Sequence, residues 1–143
     1  MSNMTPQPNI LGHFSIGVRD CDVSETFYTS VLAPLGLHLV YKSKPGDSPR
    51  TLGYGPDEDH ELVNVFEYHH EAHAPGVGFH FAFNARSRSA VDEFHATGIE
   101  NGGKSNGAPG LRKWYGPTYY AAFLIDPDGW RLEAVCQHEV SSS

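Results

Sequence analysis

An alternation of apolar and polar residues marks the first regular segment of the chain, residues 10–18. Phe14 and Ile16 fall on one face of this segment, whereas His13 and Ser15 fall on the other. A period of two residues is typical of a β-strand with one buried face. The pattern therefore predicts an opening strand whose polar face presents a histidine.

The pattern then changes to a helical period. Asp22 is the predicted N-cap of this helix, with Glu25 three residues later as in a capping box. The residues predicted to face the core recur at helical spacing: Ser24, Phe27, Tyr28, Val31 and Leu32. Pro34 and Gly36 are predicted to end the helix. Three strands are predicted to follow, at Leu37–Lys42, Arg50–Tyr54 and Glu61–Tyr68.

The same order of elements returns in the second half of the chain, at a constant offset in residue number. His80 takes the place of His13 in a second opening strand, predicted at Phe79–Asn84, and Ser89 is the predicted cap of the second helix. A loop rich in glycine and proline is predicted over residues 102–117. The last two strands are predicted at Tyr119–Ile125 and Trp130–Gln137, joined by a turn at residues 126–129.

Each half of the chain therefore has the order strand, helix and three strands, which is a βαβββ module, at residues 10–69 and 77–138. We expect an α+β fold in which the two tandem modules form a cupped mixed sheet with the helices on the outside. Residues 10–138 are expected to make a single domain, because 143 residues suit one ordinary core. Residues 1–9 and 139–143 are polar and without periodicity, and are expected to be flexible.

A duplicated module places equivalent residues about a pseudo-twofold axis, so the two histidines are expected to approach one another. Alignment of the last strand of each module, at an offset slightly longer than that of the opening strands, makes Glu133 the counterpart of Asn64. Glu133 lies between apolar neighbours, where a carboxylate is costly to bury unless it is paired or binds a metal. His13, His80 and Glu133 would give two imidazoles and one carboxylate, a facial triad that leaves positions open for substrate.

Composition and charge limit the range of partners. The net charge is −7, and the lysines and arginines are scattered, which argues against a nucleic-acid partner. No apolar run approaches the ~20 residues that cross a bilayer, so no membrane partner is expected. The two cysteines, Cys21 and Cys136, lack metal-ligand spacing with each other, and a reduced, cytoplasmic setting is expected.

In the order and spacing of its motifs, the chain resembles the vicinal oxygen chelate superfamily, which includes glyoxalase I, fosfomycin-resistance enzymes, extradiol dioxygenases and bleomycin-resistance binding proteins. The matching positions are His13, Asp20, residues 24–28, Leu32, residues 35–36, residues 53–56, His80, residues 126–129 and Glu133. The resemblance implies paired βαβββ modules around a divalent metal (Mn, Fe, Ni, Co or Zn). It also implies a homodimer, because many single-domain members complete or shape their sites at a subunit interface.

Two departures from the resemblance narrow the expected chemistry. Glyoxalase I-like enzymes carry a glutamate where this chain has Asn64, and the nearby Glu67 faces the other way unless a bulge re-aims it. Extradiol dioxygenases carry a tyrosine where this chain has Phe123, and residues 110–122 contain no histidine. Both activities are therefore disfavoured. The three-ligand set that fosfomycin-resistance enzymes use is still satisfied here.

The segment 106–120 concentrates Arg112, Trp114 and three tyrosines, Tyr115, Tyr119 and Tyr120. One interpretation is a stiff connection anchored by its aromatic rings. The other is a substrate lid, in which the arginine clamps an anion while the aromatic residues and Asn64 bind the rest of an anionic or aromatic molecule. By strand parity only one of the last two tyrosines can line the cup.

The favoured function is that of a metal-dependent enzyme acting on a small molecule, by isomerase, lyase or group-transfer chemistry. The metal would stabilise a substrate oxyanion as a Lewis acid. Glu133 would be both a ligand and a catalytic residue, and the proton would be moved by Glu133 or by a residue of the opposite module. The alternative is a metal-free protein of the bleomycin-resistance type, which binds and sequesters a small molecule. In that case His13, His80 and Glu133 would be hydrogen-bonded to one another.

Overall fold

The computed structural model describes residues 10–138, so the predicted flexible ends, residues 1–9 and 139–143, lie outside the described residues. Two helices are present in that range, α1 at Cys21–Leu32 and α2 at Arg88–Glu100. The strands are β1 Phe14–Val18, β2 His38–Lys42, β3 Thr51–Gly55, β4 Val63–Glu67, β5 Phe81–Asn84, β6 Lys104–Leu111, β7 Tyr120–Ile125 and β8 Arg131–Cys136. Short 3-10 helices lie at Ala33–Leu35 and His69–Glu71. No helix in this part of the chain is long and apolar enough to cross a membrane.

The strands form two four-stranded mixed sheets, with the orders β1-β4-β3-β2 and β5-β8-β7-β6. In each sheet the first and last strands of the module pair in parallel, and the other pairs are antiparallel. The α+β class and the two βαβββ modules are therefore confirmed. Within one chain, however, the cupped sheet is divided between the modules, and the two helices contact each other across the division.

One predicted loop contains a strand. Residues 102–117 were expected to be irregular, but β6 occupies Lys104–Leu111 and pairs with β7. The pairing shifts register twice, around Gly107 and before Gly110. Gly107 has a φ of 152°, and Pro109 has no N–H to give to a ladder. Edge position and irregular register allow a strand here despite its composition.

Both predicted helix caps are wrong by two residues. Asp20 caps α1, and its side chain accepts hydrogen bonds from the backbone N–H groups of Asp22 and Val23. Ser87 caps α2 and accepts from the N–H of Ala90. A cap needs extended backbone before the first turn, which these two residues have. Asp20 and Ser87 are separated by the same offset as the two histidines of the opening strands, so the correction preserves the repeat.

The strand register confirms the alignment between the modules. Ser15 is opposite Asn64 in the pairing of β1 with β4, and Ala82 is opposite Glu133 in the pairing of β5 with β8. Ser15 and Ala82 are equivalent at the offset of the opening strands, and Asn64 and Glu133 at the longer offset of the closing strands. The second module is therefore two residues longer than the first between its opening strand and its closing strand, as expected.

A single core joins the two modules. The ring centroids of Phe14 and Phe81 are 4.5 Å apart, so the apolar faces of the two opening strands meet. At the buried centre, the Tyr28 hydroxyl on α1 donates to Asp126 Oδ2 of the other module at 2.5 Å. The Trp130 indole N–H donates to the Gly17 carbonyl at 2.9 Å. Because strand side chains alternate, these contacts turn the polar faces of both sheets away from the core.

Candidate active site

A cleft of about 510 Å³ opens on the polar face of the second module. Its walls include six residues of interest: His80, Arg112, Trp114, Tyr115, Phe123 and Arg131. Four of these were predicted to be site residues, namely the histidine, the arginine at 112 and its two aromatic neighbours. The structure therefore brings the second predicted metal ligand and the predicted substrate segment into one space.

A chain of hydrogen bonds leads from His80, which lines the cleft, to the buried Glu133 behind it. His80 Nε2 lies 2.8 Å from Glu133 Oε1, and the Tyr119 hydroxyl donates to Glu133 Oε2. Glu133 is only 3% exposed, whereas the side chain of His80 is half-exposed. The carboxylate is thus satisfied on both oxygens, which is what a buried charged group requires.

The register of the second sheet explains why these side chains converge. Glu133, in the middle of β8, is flanked by Ala82 of β5 and Phe123 of β7. His80 directly precedes β5 and Tyr119 directly precedes β7, so both reach the carboxylate from strand ends. The imidazole of His80 also meets the ring of Phe123 edge-on, with centroids 6.0 Å apart. Its orientation is therefore fixed by packing as well as by the hydrogen bond.

Burial raises the pKa of Tyr119 well above its ordinary value, and the hydrogen bond to the Glu133 carboxylate raises it further. Burial disfavours the charged phenolate, and the neighbouring carboxylate favours the protonated hydroxyl that donates to it. Tyr119 therefore stays protonated at neutral pH and acts as a hydrogen-bond donor to Glu133.

Arg112 is held in place by its own segment. Its Nη1 donates to the Gly110 carbonyl at 2.8 Å, and its Nη2 donates to the Ala108 carbonyl at 2.7 Å. The guanidinium carbon lies 5.3 Å from the centre of the Phe123 ring. The two hydrogen bonds and the stacking fix the guanidinium over the cleft floor, which suits a group that binds an anion.

His13 and Asn64 lie in the first module, and within residues 10–138 no three His, Cys, Asp or Glu side chains lie close enough to hold a metal. Within one chain, the three predicted ligands His13, His80 and Glu133 therefore do not come together. His80 and Glu133 do form an adjacent nitrogen and oxygen donor pair, a set suited to Mn, Fe, Ni, Co or Zn. Asn64 Oδ1 is buried and has no hydrogen-bond partner among the described residues.

Two other predicted residues face away from the cleft. The Tyr120 hydroxyl donates to Asp92 Oδ1 on α2 at 2.6 Å, so Tyr120 lies on the helix side, whereas Tyr119 is the tyrosine that contacts Glu133. Glu67 Oε2 accepts a hydrogen bond from the Cys21 N–H at the start of α1, at 2.9 Å. Glu67 therefore points to the helix face, as expected for a regular strand.

Sequence reasoning missed one residue of the cleft and one residue beside Asn64 in the first module. Arg131 lines the cleft, and its position two residues before Glu133 on β8 was the available signal, because alternate strand residues share a face. The Glu61 carboxylate lies over Gly53, where any side chain would collide with it, and Gly53 is paired with Asn64. The orientation of Glu61 depends on the turn before β4, and the sequence pattern gave no signal for it.

Comparison with known proteins agrees with this architecture. The family model for the Glyoxalase/Bleomycin resistance protein/Dioxygenase superfamily matches residues 10–134. Comparison with curated protein sequences gave no significant match.

Several solved structures share the fold. A glyoxalase/bleomycin resistance protein from Albidiferax ferrireducens is 29% identical, with a TM-score of 0.70 over 91% of this chain and 100% of that one. A superfamily enzyme from Burkholderia phytofirmans is 21% identical, with a TM-score of 0.64 over 90% of this chain and 98% of that one. Glyoxalase I from Zea mays is 22% identical, with a TM-score of 0.70 over 89% of this chain but only 46% of the plant enzyme. The chain therefore belongs to the glyoxalase/bleomycin resistance protein/dioxygenase superfamily and has the vicinal oxygen chelate fold.

Proposed function

We propose that this protein is a divalent-metal-dependent enzyme that acts on a small molecule and works as a homodimer. The observation that supports it most directly is the buried Glu133 carboxylate, which contacts His80, a residue that lines an open cleft. A carboxylate next to an imidazole can supply two ligands of a metal site that keeps other coordination positions open. Held by these residues, a divalent ion would supply Lewis-acid stabilisation of a substrate oxyanion.

The third ligand in this proposal is His13 of a second copy of the chain. His13 is exposed and directly precedes β1, on the polar side of the first module, and within residues 10–138 it belongs to no cluster of three or more His, Cys, Asp or Glu side chains. Large apolar side chains near the starts of β1 and β5 are also exposed: Ile10 at 90%, Leu11 at 58% and Val77 at 87%. Exposed apolar groups beside an incomplete polar site favour burial against another copy.

The protein's own groups have separate tasks in this proposal. Arg112 binds an anionic part of the substrate, because its guanidinium is already oriented by two carbonyl groups. Tyr119 holds Glu133 in one rotamer by donating to Oε2. Glu133 Oε1 is the proton acceptor or ligand atom that faces His80. Trp114 and Tyr115 stand at the rim and cover the bound molecule.

The chemistry remains isomerase, lyase or group transfer. Glyoxalase I chemistry stays disfavoured, since Asn64 is an amide at the position that pairs with Ser15, and Glu67 is engaged at the helix face. Extradiol cleavage stays disfavoured because Phe123, opposite Glu133, has no hydroxyl.

Metal content tests this proposal. Protein purified without added metal, and then loaded in turn with Mn, Fe, Ni, Co and Zn, is expected to retain one of these ions at near-stoichiometric level. His80→Ala is expected to lose it, because the nitrogen donor of the site is removed. His95→Ala is the matched control, since His95 bonds to Ser105 outside the cleft and should leave the metal in place. A parent protein that stays metal-free after every loading would contradict the proposal.

The second candidate is a metal-free protein that binds and sequesters a small molecule. It is favoured by one observation, that both Glu133 oxygens are already satisfied within the chain by His80 and Tyr119. In that case a thermal-shift screen of small molecules would give the same stabilisation with and without chelator. Stabilisation that requires a metal would exclude this candidate.

A further inference from the structure

We propose that Arg131 and Arg112 form a paired oxyanion site in the cleft, and that the substrate is a planar or aromatic molecule bearing a carboxylate or phosphate group. This inference names the substrate class of the site proposed above and so rests on that proposal. It adds Arg131, which was not among the residues predicted from the sequence to bind the metal or the substrate.

Arg131 occupies a position that suits a ligand-binding role. It is the first residue of β8, shares the polar face with Glu133, and lines the cleft. Its Nε is buried and has no hydrogen-bond partner among the described residues. The side chain as a whole is only partly buried, and an oxyanion in the cleft would pair with the part of the guanidinium that lines it, in the fork geometry that guanidinium groups favour.

The charge of the cleft points to the same ligand. Arg112 and Arg131 are the two residues with a permanent positive charge among those that line it, and none of the described lining residues carries a carboxylate. The chain as a whole has a net charge of −7, so this concentration of positive charge is opposite in sign to the protein. Glu133 lies nearby but is 3% exposed and does not line the cleft, and both of its oxygens are occupied by His80 and Tyr119. The cleft therefore selects an anion.

Aromatic rings at the rim indicate the shape of the rest of the ligand. Phe79, Trp114 and Tyr115 line the cleft and are 42%, 74% and 66% exposed. The rings of the last two lie 5.9 Å apart, and Phe123 forms part of the floor. Exposed rings around a charged floor favour a flat molecule whose face stacks while its anionic end reaches the guanidinium groups.

Calorimetric titration with benzoate, benzamide and inorganic phosphate, in the presence of chelator, tests this inference. Benzoate and benzamide have almost the same shape and differ in charge. We expect benzoate to bind the parent about tenfold more tightly than benzamide, because the carboxylate makes charge-assisted hydrogen bonds. Phosphate alone is expected to bind weakly and to compete with benzoate. Equal affinities for benzoate and benzamide would overturn the proposal.

Two arginine variants show whether Arg131 is responsible. Arg131→Gln is expected to weaken benzoate binding about tenfold and leave benzamide unchanged, whereas Arg131→Lys should keep part of the affinity because it retains the charge without the fork. Arg88→Gln is the matched control: Arg88 also has a buried, unpartnered Nε, but its guanidinium lies over Tyr120, outside the cleft lining. Unchanged benzoate affinity in both Arg131 variants would overturn the assignment.

The metal content of the same variants separates this inference from the proposed function. If Arg131→Gln retains metal and loses the preference for benzoate, both proposals stand. If the parent holds metal but does not distinguish benzoate from benzamide, only the oxyanion site is wrong. If the parent binds benzoate through Arg131 but never holds metal, the oxyanion site stands and the metal-dependent function is wrong.

Discussion

At the scale of single residues, the site depends on how the buried Glu133 is satisfied. A carboxylate that is 3% exposed would destabilise the fold if either oxygen lacked a partner. His80 and Tyr119 provide these partners from the ends of two neighbouring strands. The same hydrogen bonds that stabilise the fold therefore orient the group to which we assign the chemistry.

Replacing Tyr119 by phenylalanine tests this arrangement. Loss of the hydroxyl leaves Glu133 Oε2 without its donor, and we expect the free energy of unfolding to fall by about 1–3 kcal/mol in metal-free protein. Urea denaturation measures the change. Tyr115→Phe is the control, since Tyr115 is 66% exposed and its loss of a hydroxyl should change stability little. Similar stabilities for the two variants would show that the bond to Glu133 contributes nothing.

Asp126 gives a prediction for pH dependence. Burial raises the pKa of this carboxyl to about 6 from its ordinary 3.8, despite hydrogen bonds from Tyr28 and two backbone N–H groups. A raised pKa in the folded state means that the folded protein binds the proton more tightly. The stability from this group is therefore present below about pH 4 and is lost as the pH rises through about 6.

Asp126→Asn cannot ionise, so it isolates the effect of this group. From about pH 4 to pH 7, we expect the free energy of unfolding of the parent to fall by about 3 kcal/mol relative to the variant. Urea denaturation at several pH values gives both curves. A difference between the curves that does not vary with pH would contradict the assignment.

At the scale of elements, the repeat in the sequence was enough to predict the modules but not their irregular parts. The period-two and helical patterns located both helices and seven of the strands, because each has one apolar face. The remaining strand, β6, escaped prediction because glycine and proline interrupt it and its register shifts. The caps Asp20 and Ser87 were missed because a carboxylate or hydroxyl two residues later also satisfied the capping pattern.

The candidate site was predictable to a similar extent. The alternation of residues and the repeat between the modules placed His80 and Glu133 on one face of the sheet. Strand parity also predicted that only one of Tyr119 and Tyr120 could lie on that face. Tyr119 as a partner of Glu133, and the burial of the Arg131 Nε, depend on how neighbouring strands are registered and on loop conformation. Neither of these is specified by the period of the sequence.

Gly98 on α2 gives a prediction at this scale. Alanine normally stabilises a helix relative to glycine by about 1 kcal/mol. At Gly98, however, a Cβ would collide with the Leu124 side chain of β7, so we expect Gly98→Ala to destabilise by about 1–3 kcal/mol. Thermal unfolding measures this. Ala96→Gly, on the exposed face of the same helix, should lose about 1 kcal/mol from propensity alone. A stabilised Gly98→Ala protein would show that α2 does not pack closely on β7.

At the scale of the whole molecule, the core between the modules determines where the ligands can meet. The bond from Tyr28 to Asp126 and the contact of Phe14 with Phe81 fix the two apolar faces against each other. The polar faces, which carry His13 in one module and His80 with Glu133 in the other, are consequently open. A three-ligand site then requires the first module of another copy, which is the central claim of the proposed function.

Mixed dimers test this claim most directly. His13→Ala and His80→Ala chains, carrying different affinity tags, are co-expressed, and the mixed dimer is purified through both tags. If ligands come from two chains, the mixed dimer has one site with both histidines intact and one site that lacks both. We predict that the mixed dimer holds about half the metal of the parent dimer, whereas each variant alone holds almost none. A mixed dimer as empty as the two variants would contradict the shared site.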